Sequence, residues 1–326
     1  MMICLGIEGT AHTFGIGILS EDGKVLANAK KVYSPQEGFG IKPVEAAEHH
    51  KKFSEDVLNE ALERAKIKLS DVDLIAFSQG PGLPPCLSVT LKKAIEIAKR
   101  IKKPIVGVNH CIAHLEIGRL ICKCSDPVML YVSGGNTQVI AFSEGKYRVF
   151  GETLDITIGN LLDCFARAAN LPFPGGPKIE ELAKRGTKYI QLPYRVKGMD
   201  VSFTGILTLL EKKLKENKIE DLCYSLQETT FAMLVEVSER AIAHLRKNEL
   251  LLTGGVAANK RLQEMCEVMC RERGAGFYVV PHEYAGDCGA NIAWTGILAK
   301  NNSTRNFGKI KIKPKWRTDD VSVDWR

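Results

Sequence analysis

The sequence predicts an α/β protein built from two duplicated lobes, residues 1–126 and 127–326. Three observations support this. A meander of three short apolar strands opens each half, helices then alternate with single buried strands, and 326 residues with 45% hydrophobic content can bury two cores. The boundary between the lobes is expected at Ser125-Asp126-Pro127, where the apolar pattern is interrupted.

In the first lobe, the meander covers residues 3–33, and a hairpin signal at residues 20–24 separates its second and third strands. A helix follows, because apolar residues from Ala46 to Ala65 recur on one helical face. The remaining elements are a strand at 73–78, a helix at 87–101 that ends before Pro104, and a strand at 105–108 that ends at Asn109-His110.

The second lobe opens with the same meander, at residues 128–151, and its turns are Ser133-Gly134-Gly135-Asn136-Thr137 and Ser143-Glu144-Gly145-Lys146. Residues 155–248 are expected to form a largely helical insertion, with long helices near 204–216 and 221–246. A strand at 250–253, a helix at 257–273, a strand at 277–280 and a helix after Gly289 complete the lobe, and residues 301–326 form a basic tail.

Composition excludes several classes of protein. Lys and Arg outnumber Asp and Glu by 45 to 38, and the net charge of +7 permits an anionic partner without requiring one. Ten cysteines without a CxxC pair argue against a zinc ribbon and favour reduced thiols in a cytoplasmic protein. Glu8 interrupts the first apolar run, so no signal peptide is expected, and no apolar run is long enough to predict a membrane span.

Three strands, a helix, a strand, a helix and a strand, executed twice, resemble the plan of the actin, Hsp70 and sugar-kinase (ASKHA) superfamily. That resemblance implies two similar lobes with a nucleotide and metal site in the cleft between them. Because one fold hosts many activities, the functional residues must decide the chemistry.

Three glycine pairs follow apolar strands: Gly134-Gly135, Gly175-Gly176 and Gly254-Gly255. Glycine lets a backbone approach an anion closely, so three such pairs in a duplicated plan favour phosphate binding over simple tight turns. No GxxxxGK[ST] motif is present, which excludes a P-loop. Asp155, Asp163 and Glu180 accompany these turns, and Glu180 is placed to accept ribose hydroxyls; helix-dipole stabilisation is the alternative.

His110 and His114 lie one helical turn apart and can reach one metal ion, although two structural histidines are the alternative. In a metalloprotease of the HExxH type, the residue after the first histidine is a glutamate base; here it is Cys111. A Lewis acid or substrate clamp is therefore the more plausible role. Asp287 is the candidate third ligand, with His282 and Glu283 as competitors.

Together these motifs closely resemble the TsaD family, which makes the threonylcarbamoyl modification of tRNA adenosine, and its archaeal and eukaryotic KEOPS branch. The matching segments run in order along the chain: Ile7-Glu8-Gly9-Thr10-Ala11, Ser78-Gln79-Gly80-Pro81-Gly82-Leu83, Asn109-His110-Cys111-Ile112-Ala113-His114, residues 130–138, residues 151–155, Pro174-Gly175-Gly176-Pro177, residues 254–259 and Ala285-Gly286-Asp287.

The resemblance implies a transferase that takes the threonylcarbamoyl group from threonylcarbamoyl-AMP, passes it to N6 of adenosine 37 in tRNAs reading ANN codons, and releases AMP. It implies catalytic roles for His110, His114 and Asp287, and adds Tyr131 to these three as a metal ligand. It also implies a nucleotide pocket for threonylcarbamoyl-AMP, ATP or an analogue. The pocket residues would be Tyr131, Val132, Ser133, Gly134, Gly135, Asp163, Gly176, Glu180 and Asn259.

The same resemblance implies one iron ion per subunit, because two imidazoles, a phenolate and a carboxylate suit iron, with zinc as the alternative. The implied partners are tRNA and the KEOPS subunits: a small kinase-like ATPase, a small dimerising subunit and a further small subunit. Four residues depart from the family pattern: Cys288 beside Asp287, and Pro84, Cys86 and Ser88. An ATPase or phosphotransferase of the ASKHA superfamily and a non-catalytic nucleotide switch are the competing functions.

Two basic segments are candidate RNA surfaces. One comprises Lys92, Lys93, Lys99, Arg100, Lys102 and Lys103, on the helix at 87–101 and at its exit. The other is the tail at 309–317, where charged and apolar residues alternate. The helix cluster is the favoured tRNA surface, whereas the tail is expected to be an edge strand protected by lysines.

Overall fold

The computed structural model describes residues 1–34 and 41–326. In chain order its strands are β1 Ile3–Glu8, β2 Thr13–Ser20, β3 Val25–Val32, β4 Leu74–Gly80, β5 Ile105–Asn109, β6 Val128–Val132, β7 Thr137–Ser143, β8 Lys146–Glu152, β9 Val196–Lys197, β10 Asp200–Val201, β11 Glu249–Thr253 and β12 Gly276–Val279. Its α-helices are α1 Pro43–Ala65, α2 Pro84–Ile101, α3 His110–Cys122, α4 Ile158–Ala168, α5 Gly175–Ala183, α6 Thr204–Lys213, α7 Ile219–Leu245, α8 Lys260–Glu272, α9 His282–Ala285 and α10 Gly289–Leu298.

The chain forms two compact units, and their bounds differ from those of the predicted lobes. One unit combines Met1–Leu120 with Gly286–Arg326, and the other is Ile121–Ala285. The last 41 residues join the first unit because α10 packs on its strands β1, β2 and β4. This return of the chain could not be inferred from a boundary drawn between two repeated patterns.

The first unit is organised around a mixed five-stranded sheet in the order β3-β2-β1-β4-β5. The meander β1–β3 is antiparallel, whereas β4 and β5 run parallel to β1. Side chains alternate between the two faces of the sheet. Leu5 and Ile7 of β1 belong to the core that includes Val57 of α1 and Ile97 of α2, while Gly6 faces α10.

Contact between α10 and the sheet is unusually close, because backbone packs directly on backbone. A Cβ added to Gly17 would lie 2.1 Å from the amide nitrogen of Ala290, and one added to Gly289 would lie 2.0 Å from that of Gly17. Only glycine permits this approach. The two glycines therefore set how closely the start of α10 packs on the sheet.

The second unit repeats the topology of the first, with strands in the order β12-β11-β6-β7-β8. The meander β6–β8 is again antiparallel, and β11 and β12 are parallel to β6. Its core joins Leu130 and Leu252 of the sheet to Phe165 of α4 and Phe231 of α7. The predicted duplication of strand order is confirmed, and the predicted helical insertion consists of α4–α7 plus the short hairpin β9–β10.

Several predicted bounds change for local reasons. The helix expected from residue 257 begins at Lys260, because the side chain of Asn259 accepts hydrogen bonds from Arg261 N and Leu262 N and caps it there. Residues 301–326, all of which the structure describes, contain short 3₁₀ turns and one isolated bridge, Thr304 to Ile105, but no strand. The expected edge strand of the tail is therefore wrong.

All ten cysteines carry free thiols, as the sequence predicts. Among the described residues, no helix combines the length and the apolar character that crossing a bilayer requires.

We expect Gly17→Ala to destabilise the protein by about 1–3 kcal/mol, because its methyl group has no space beneath α10. Gly205→Ala is the matched control: it lies in α6 with nothing within 4 Å of its added Cβ, and should be neutral or stabilise by up to about 1 kcal/mol. Urea unfolding monitored by circular dichroism measures both. Equal stability of the two variants would contradict the close packing of α10.

Candidate functional site

Helix α3 begins at the residue that follows strand β5. The side chain of Asn109 makes this junction, because its Oδ1 accepts hydrogen bonds from Cys111 N at 2.9 Å and Ile112 N at 3.2 Å. Its Nδ2 donates to the carbonyl of Trp316 at 3.1 Å. The buried amide thus caps α3 and ties it to the chain's last segment, and His110 becomes the first residue of the helix.

His110, His114 and Asp287 bring three potential ligand atoms together. The two Nε2 atoms are 3.3 Å apart, and Asp287 Oδ1 is 3.5 Å from His110 Nε2 and 3.3 Å from His114 Nε2. Ligands about 2.1 Å from a tetrahedrally coordinated ion lie about 3.4 Å from one another. The three residues therefore fit one small transition-metal ion without rearrangement, and all three belong to the first unit.

Glu8 supports this cluster from the end of β1. Its Oε2 lies 3.0 Å from His110 Nδ1, and its Oε1 accepts hydrogen bonds from Thr10 N at 2.8 Å and Thr10 Oγ1 at 2.6 Å. The carboxyl group is buried, with 1% of its side chain exposed. A carboxylate on the far nitrogen of a ligand histidine holds the ring and its tautomer, so that Nε2 stays directed at the ion.

The carboxylates change the protonation of the cluster. Burial lowers the pKa of His110, but Glu8 and Asp287 outweigh it and raise the pKa to about 9. Burial lowers the pKa of His114, and the adjacent His110 adds to this effect. The two histidines hold the pKa of Asp287 well below its ordinary value, although burial opposes them. The pocket therefore favours a positive charge among its carboxylates.

Cys288, the first departure from the family pattern, belongs to the support of this cluster. Its Sγ lies 3.0 Å from Asn291 Oδ1, and Asn291 Nδ2 lies 3.2 Å from His114 Nδ1. Burial raises the pKa of the Cys288 thiol to about 11, so it stays protonated at neutral pH. Cys288 thus holds the amide that contacts the second histidine.

Cys111, which replaces the protease glutamate, is not equipped for nucleophilic or metal chemistry. Burial raises the pKa of its thiol to about 11, so the thiolate that such chemistry needs is scarce at neutral pH. His282 and Glu283, the competing third ligands, are exposed on the short helix α9 and do not belong to the ligand group.

The predicted nucleotide residues all lie in the second unit. Residues 131–135 form the end of β6 and its turn, Asp163 is in α4, Gly176 and Glu180 are in α5, and Asn259 caps α8. Added Cβ atoms on Gly134 and Gly135 would meet nothing within 4 Å, so this turn has open space beside it. The nucleotide role of these residues stays a prediction.

Hydrogen bonds link these elements into one framework. Asp163 Oδ1 accepts from Gly175 N at 2.8 Å, joining α4 to α5, and Glu180 Oε1 accepts from Lys260 N at 3.0 Å, joining α5 to α8. Thr157 Oγ1 donates to the carbonyl of Gly134 at 2.7 Å. Asp163 and Glu180 therefore each accept a hydrogen bond from a backbone N–H at the start of a helix, and each uses one carboxylate oxygen for it.

Asp155, in contrast, has a structural role. Its side chain accepts hydrogen bonds from Ser202 Oγ at 2.5 Å, Phe203 N at 2.8 Å and Thr204 N at 3.0 Å. These bonds brace the start of α6. Burial raises the pKa of Asp155, but the hydrogen bonds outweigh it and lower the pKa to about 2.

Tyr131 is buried in β6, between Thr253 of β11 and Gln138 of β7. Its assignment as a metal ligand stays a prediction. The other departures lie in α2, where Pro84 occupies the first helical position, Ser88 Oγ donates to the Pro84 carbonyl at 2.8 Å, and the Cys86 thiol is buried.

Sequence reasoning from the residues missed three supporting side chains, Glu8, Asn109 and Asn291. Each is polar, buried and adjacent to an apolar element. A carboxylate at the end of an apolar strand is costly unless it has a partner. The position of Glu8 in the sequence was therefore the signal that could have revealed it.

Comparison with known proteins places the chain among relatives. A family model described as tRNA N6-adenosine threonylcarbamoyltransferase matches residues 24–294. A protein of that name from Thermococcus sibiricus is 56% identical over 99% of this chain and 100% of its own length. A probable bifunctional tRNA threonylcarbamoyladenosine biosynthesis protein from Methanocaldococcus jannaschii is 54% identical over 99% of this chain, which spans 60% of that relative's length.

Solved structures support the fold. HypF of T. kodakarensis superimposes with a TM-score of 0.63 at 16% identity, covering 92% of this chain and 48% of HypF. A ROK hexokinase from Thermus thermophilus gives a TM-score of 0.54 at 15% identity, covering 92% of this chain and 100% of the hexokinase. The predicted ASKHA fold class is confirmed, since a sugar kinase shares the fold; such low identity shows nothing about activity.

We expect Glu8→Gln to lower metal affinity about 10- to 100-fold, because the amide removes the negative charge behind His110 while keeping its size. Competition between the full chain and a chromophoric chelator for Co²⁺ measures this affinity. Glu116→Gln is the matched control, since Glu116 is an equally buried carboxylate on α3 that bonds Arg119 and Trp325 instead. Equal affinities for Glu8→Gln and the wild type would exclude the supporting role of Glu8.

We expect Asp155→Asn to cost about 1 kcal/mol at pH 7, a modest value because Asp155 is solvent-exposed. Its folded pKa is depressed, so the stabilisation is complete above the unfolded value of about 4 and is lost as the pH falls towards 2. Urea unfolding at pH 7 and pH 3 should show the difference from wild type shrinking in acid. Glu216→Gln is the control, because Glu216 is exposed and forms no ion pair within the described part of the chain. A constant difference between Asp155→Asn and the wild type would contradict this origin.

Proposed function

Because the chain belongs to the TsaD family of tRNA N6-adenosine threonylcarbamoyltransferases, we propose that it transfers the threonylcarbamoyl group from threonylcarbamoyl-AMP to N6 of adenosine 37 in tRNAs reading ANN codons. The observation that carries this proposal is the assembled cluster of His110, His114 and Asp287 in a chain of this family. In the reaction, N6 forms a bond to the carbamoyl carbon and loses a proton. The bond from that carbon to the phosphate oxygen breaks, and AMP leaves.

A metal ion held by His110, His114 and Asp287, with Tyr131 as the proposed further ligand, would act as a Lewis acid towards the carbonyl. The nitrogen and oxygen donor set favours iron, with zinc as the competitor. Glu8 holds the Nδ1 side of His110, and Asn291 contacts the Nδ1 side of His114. Both contacts leave the Nε2 atoms directed towards Asp287, where the ligand positions converge.

The adenylate is proposed to bind the second unit, at Tyr131, Val132, Ser133, Gly134, Gly135, Asp163, Gly176, Glu180 and Asn259. The turn at Gly134 and Gly135 can accommodate a phosphate, since nothing in the described structure lies within 4 Å of a Cβ added to either glycine. The oxygens of Asp163 and Glu180 that are not engaged with Gly175 and Lys260 are available as acceptors for ribose hydroxyls.

The proposed partners are tRNA and the other KEOPS subunits, namely a small kinase-like ATPase, a small dimerising subunit and a further small subunit. The relative from M. jannaschii is named bifunctional, and this chain spans 60% of it. The proposed location is the cytoplasm.

The decisive assay supplies threonylcarbamoyl-AMP, an unmodified tRNA and the partner proteins, and quantifies modified adenosine by mass spectrometry. We expect His110→Ala with His114→Ala to reduce its formation at least about 100-fold, because both ligands are lost. The double variant His244→Ala with His282→Ala is the control, since both of these histidines are exposed and outside the ligand group.

Equal product from the two double variants would exclude the metal mechanism. The competing ASKHA phosphotransferase or ATPase predicts phosphate release, or a phosphorylated product, that does not require His110. A non-catalytic nucleotide switch predicts no modified adenosine that depends on this chain's own residues.

A further inference from the structure

The tail segment from Thr304 to Trp316 is fixed to the edge of the first sheet. Thr304 exchanges two backbone hydrogen bonds with Ile105 at the start of β5. Further along, Lys313 N donates to the carbonyl of Gln79 at 2.8 Å, and Gln79 Nε2 donates to the carbonyl of Lys311 at 2.7 Å. The tail therefore runs from the amino end of β5 to the carboxyl end of β4.

The tail packs tightly against the carboxyl end of β4. An added Cβ on Gly80, whose φ is +156°, would lie 1.9 Å from the carbonyl oxygen of Lys313. Gly82 N also donates to the carbonyl of Pro314 at 3.2 Å. Next to it, Asn109 bonds the Trp316 carbonyl and caps the helix that begins with His110. The tail therefore contacts Asn109, which directly precedes the candidate metal ligand His110.

Three lysines, Lys309, Lys311 and Lys313, form what we term the tail row. Between them Ile310 packs towards the core of the first unit, whereas all three lysines are exposed. Lys309 is the last residue of the 3₁₀ turn Phe307–Lys309, and the backbone becomes extended at Ile310. Among residues 1–34 and 41–326, no carboxylate forms an ion pair with any of the three, and Lys313 Nζ lies 4.0 Å from the centre of the Trp316 ring.

Two of the six residues in the helix cluster that the sequence favoured form ion pairs. Lys93 is buried and forms ion pairs with Glu55 and Glu96, so it cannot reach RNA. Lys103 pairs with Asp73 at 2.9 Å. Arg317, at the end of the tail, likewise pairs with Asp319 at 3.0 Å. The exposed Lys92, Lys99, Arg100 and Lys102 keep their charge on the helix. Of the two basic segments, however, only the tail bonds Asn109, the residue that precedes His110.

We infer that the tail row binds the phosphate backbone of the substrate RNA and leads it along the sheet edge towards the metal cluster. This inference rests on the proposed function and deepens it by naming a surface for the tRNA. Exposed cations that follow one another along a fixed backbone suit a polymer that carries one phosphate per nucleotide. Lysine is suited to phosphate because its ammonium group contacts the anion as a point charge.

The test measures the affinity of the full-length chain for an unmodified tRNA transcript across 50 to 200 mM salt. We expect the triple variant Lys309→Gln, Lys311→Gln, Lys313→Gln to reduce the slope of log affinity against log salt by about 2, since each lost phosphate contact removes about 0.7. The matched control is Lys24→Gln, Lys30→Gln, Lys31→Gln, three exposed lysines on and beside β3, at the opposite edge of the same sheet. Its slope should equal that of the wild type.

Three outcomes would overturn the inference: an unchanged slope in the tail-row variant, an equal decrease in both variants, or no salt-dependent affinity in the wild type. Circular dichroism confirms that both variants fold. The transfer assay separates the two hypotheses. If the wild type modifies tRNA but the tail-row variant keeps the wild-type KM for tRNA and the wild-type slope, only the RNA surface is wrong. If the wild type yields no modified adenosine, the proposed function itself fails.

Discussion

The amide of Asn109 is the contact on which the site depends most. It ends β5 and starts α3 within one residue, because its oxygen takes the first free N–H groups of the helix. His110 and His114 consequently face the same way, one turn apart, at the carboxyl end of the sheet. The Nδ2 of the same amide donates a hydrogen bond to the carbonyl of Trp316 in the tail. Metal ligands and tail are therefore positioned by one side chain.

Electrostatics then determine what this pocket can hold. Glu8 and Asp287 bring two carboxylates to two imidazoles in a largely buried volume. They raise the pKa of His110 against the opposing effect of burial, so the pocket favours a nearby positive charge. A metal ion would offset the same negative charge, and the spacing of the three ligand atoms fits one ion. Cys111 and Cys288 stay neutral thiols at neutral pH, so the donor set remains nitrogen and oxygen.

Much of the fold could be predicted from sequence because period-two and period-3.6 patterns repeat in both halves. The meanders and the α3 histidine pair were visible in this way, whereas Asp287 was separated from its competitors His282 and Glu283 only by the family resemblance. The return of residues 286–326 to the first unit was not, because it depends on close backbone packing between α10 and the glycines of β1 and β2. The partners of Asp155, Lys93 and Lys103 could not be predicted either, because they lie far away in sequence or on another element. Glu8 contacts His110 across 102 positions, a pairing that no local pattern encodes.

The central claim is that His110, His114 and Asp287 hold one metal ion. A crystal structure of the metal-loaded protein, with anomalous diffraction recorded at the absorption edge of the added metal, tests it most directly. We predict a single strong anomalous peak bonded to His110 Nε2, His114 Nε2 and an oxygen of Asp287. A peak elsewhere, or no peak from protein loaded with a stoichiometric amount of metal, would contradict it.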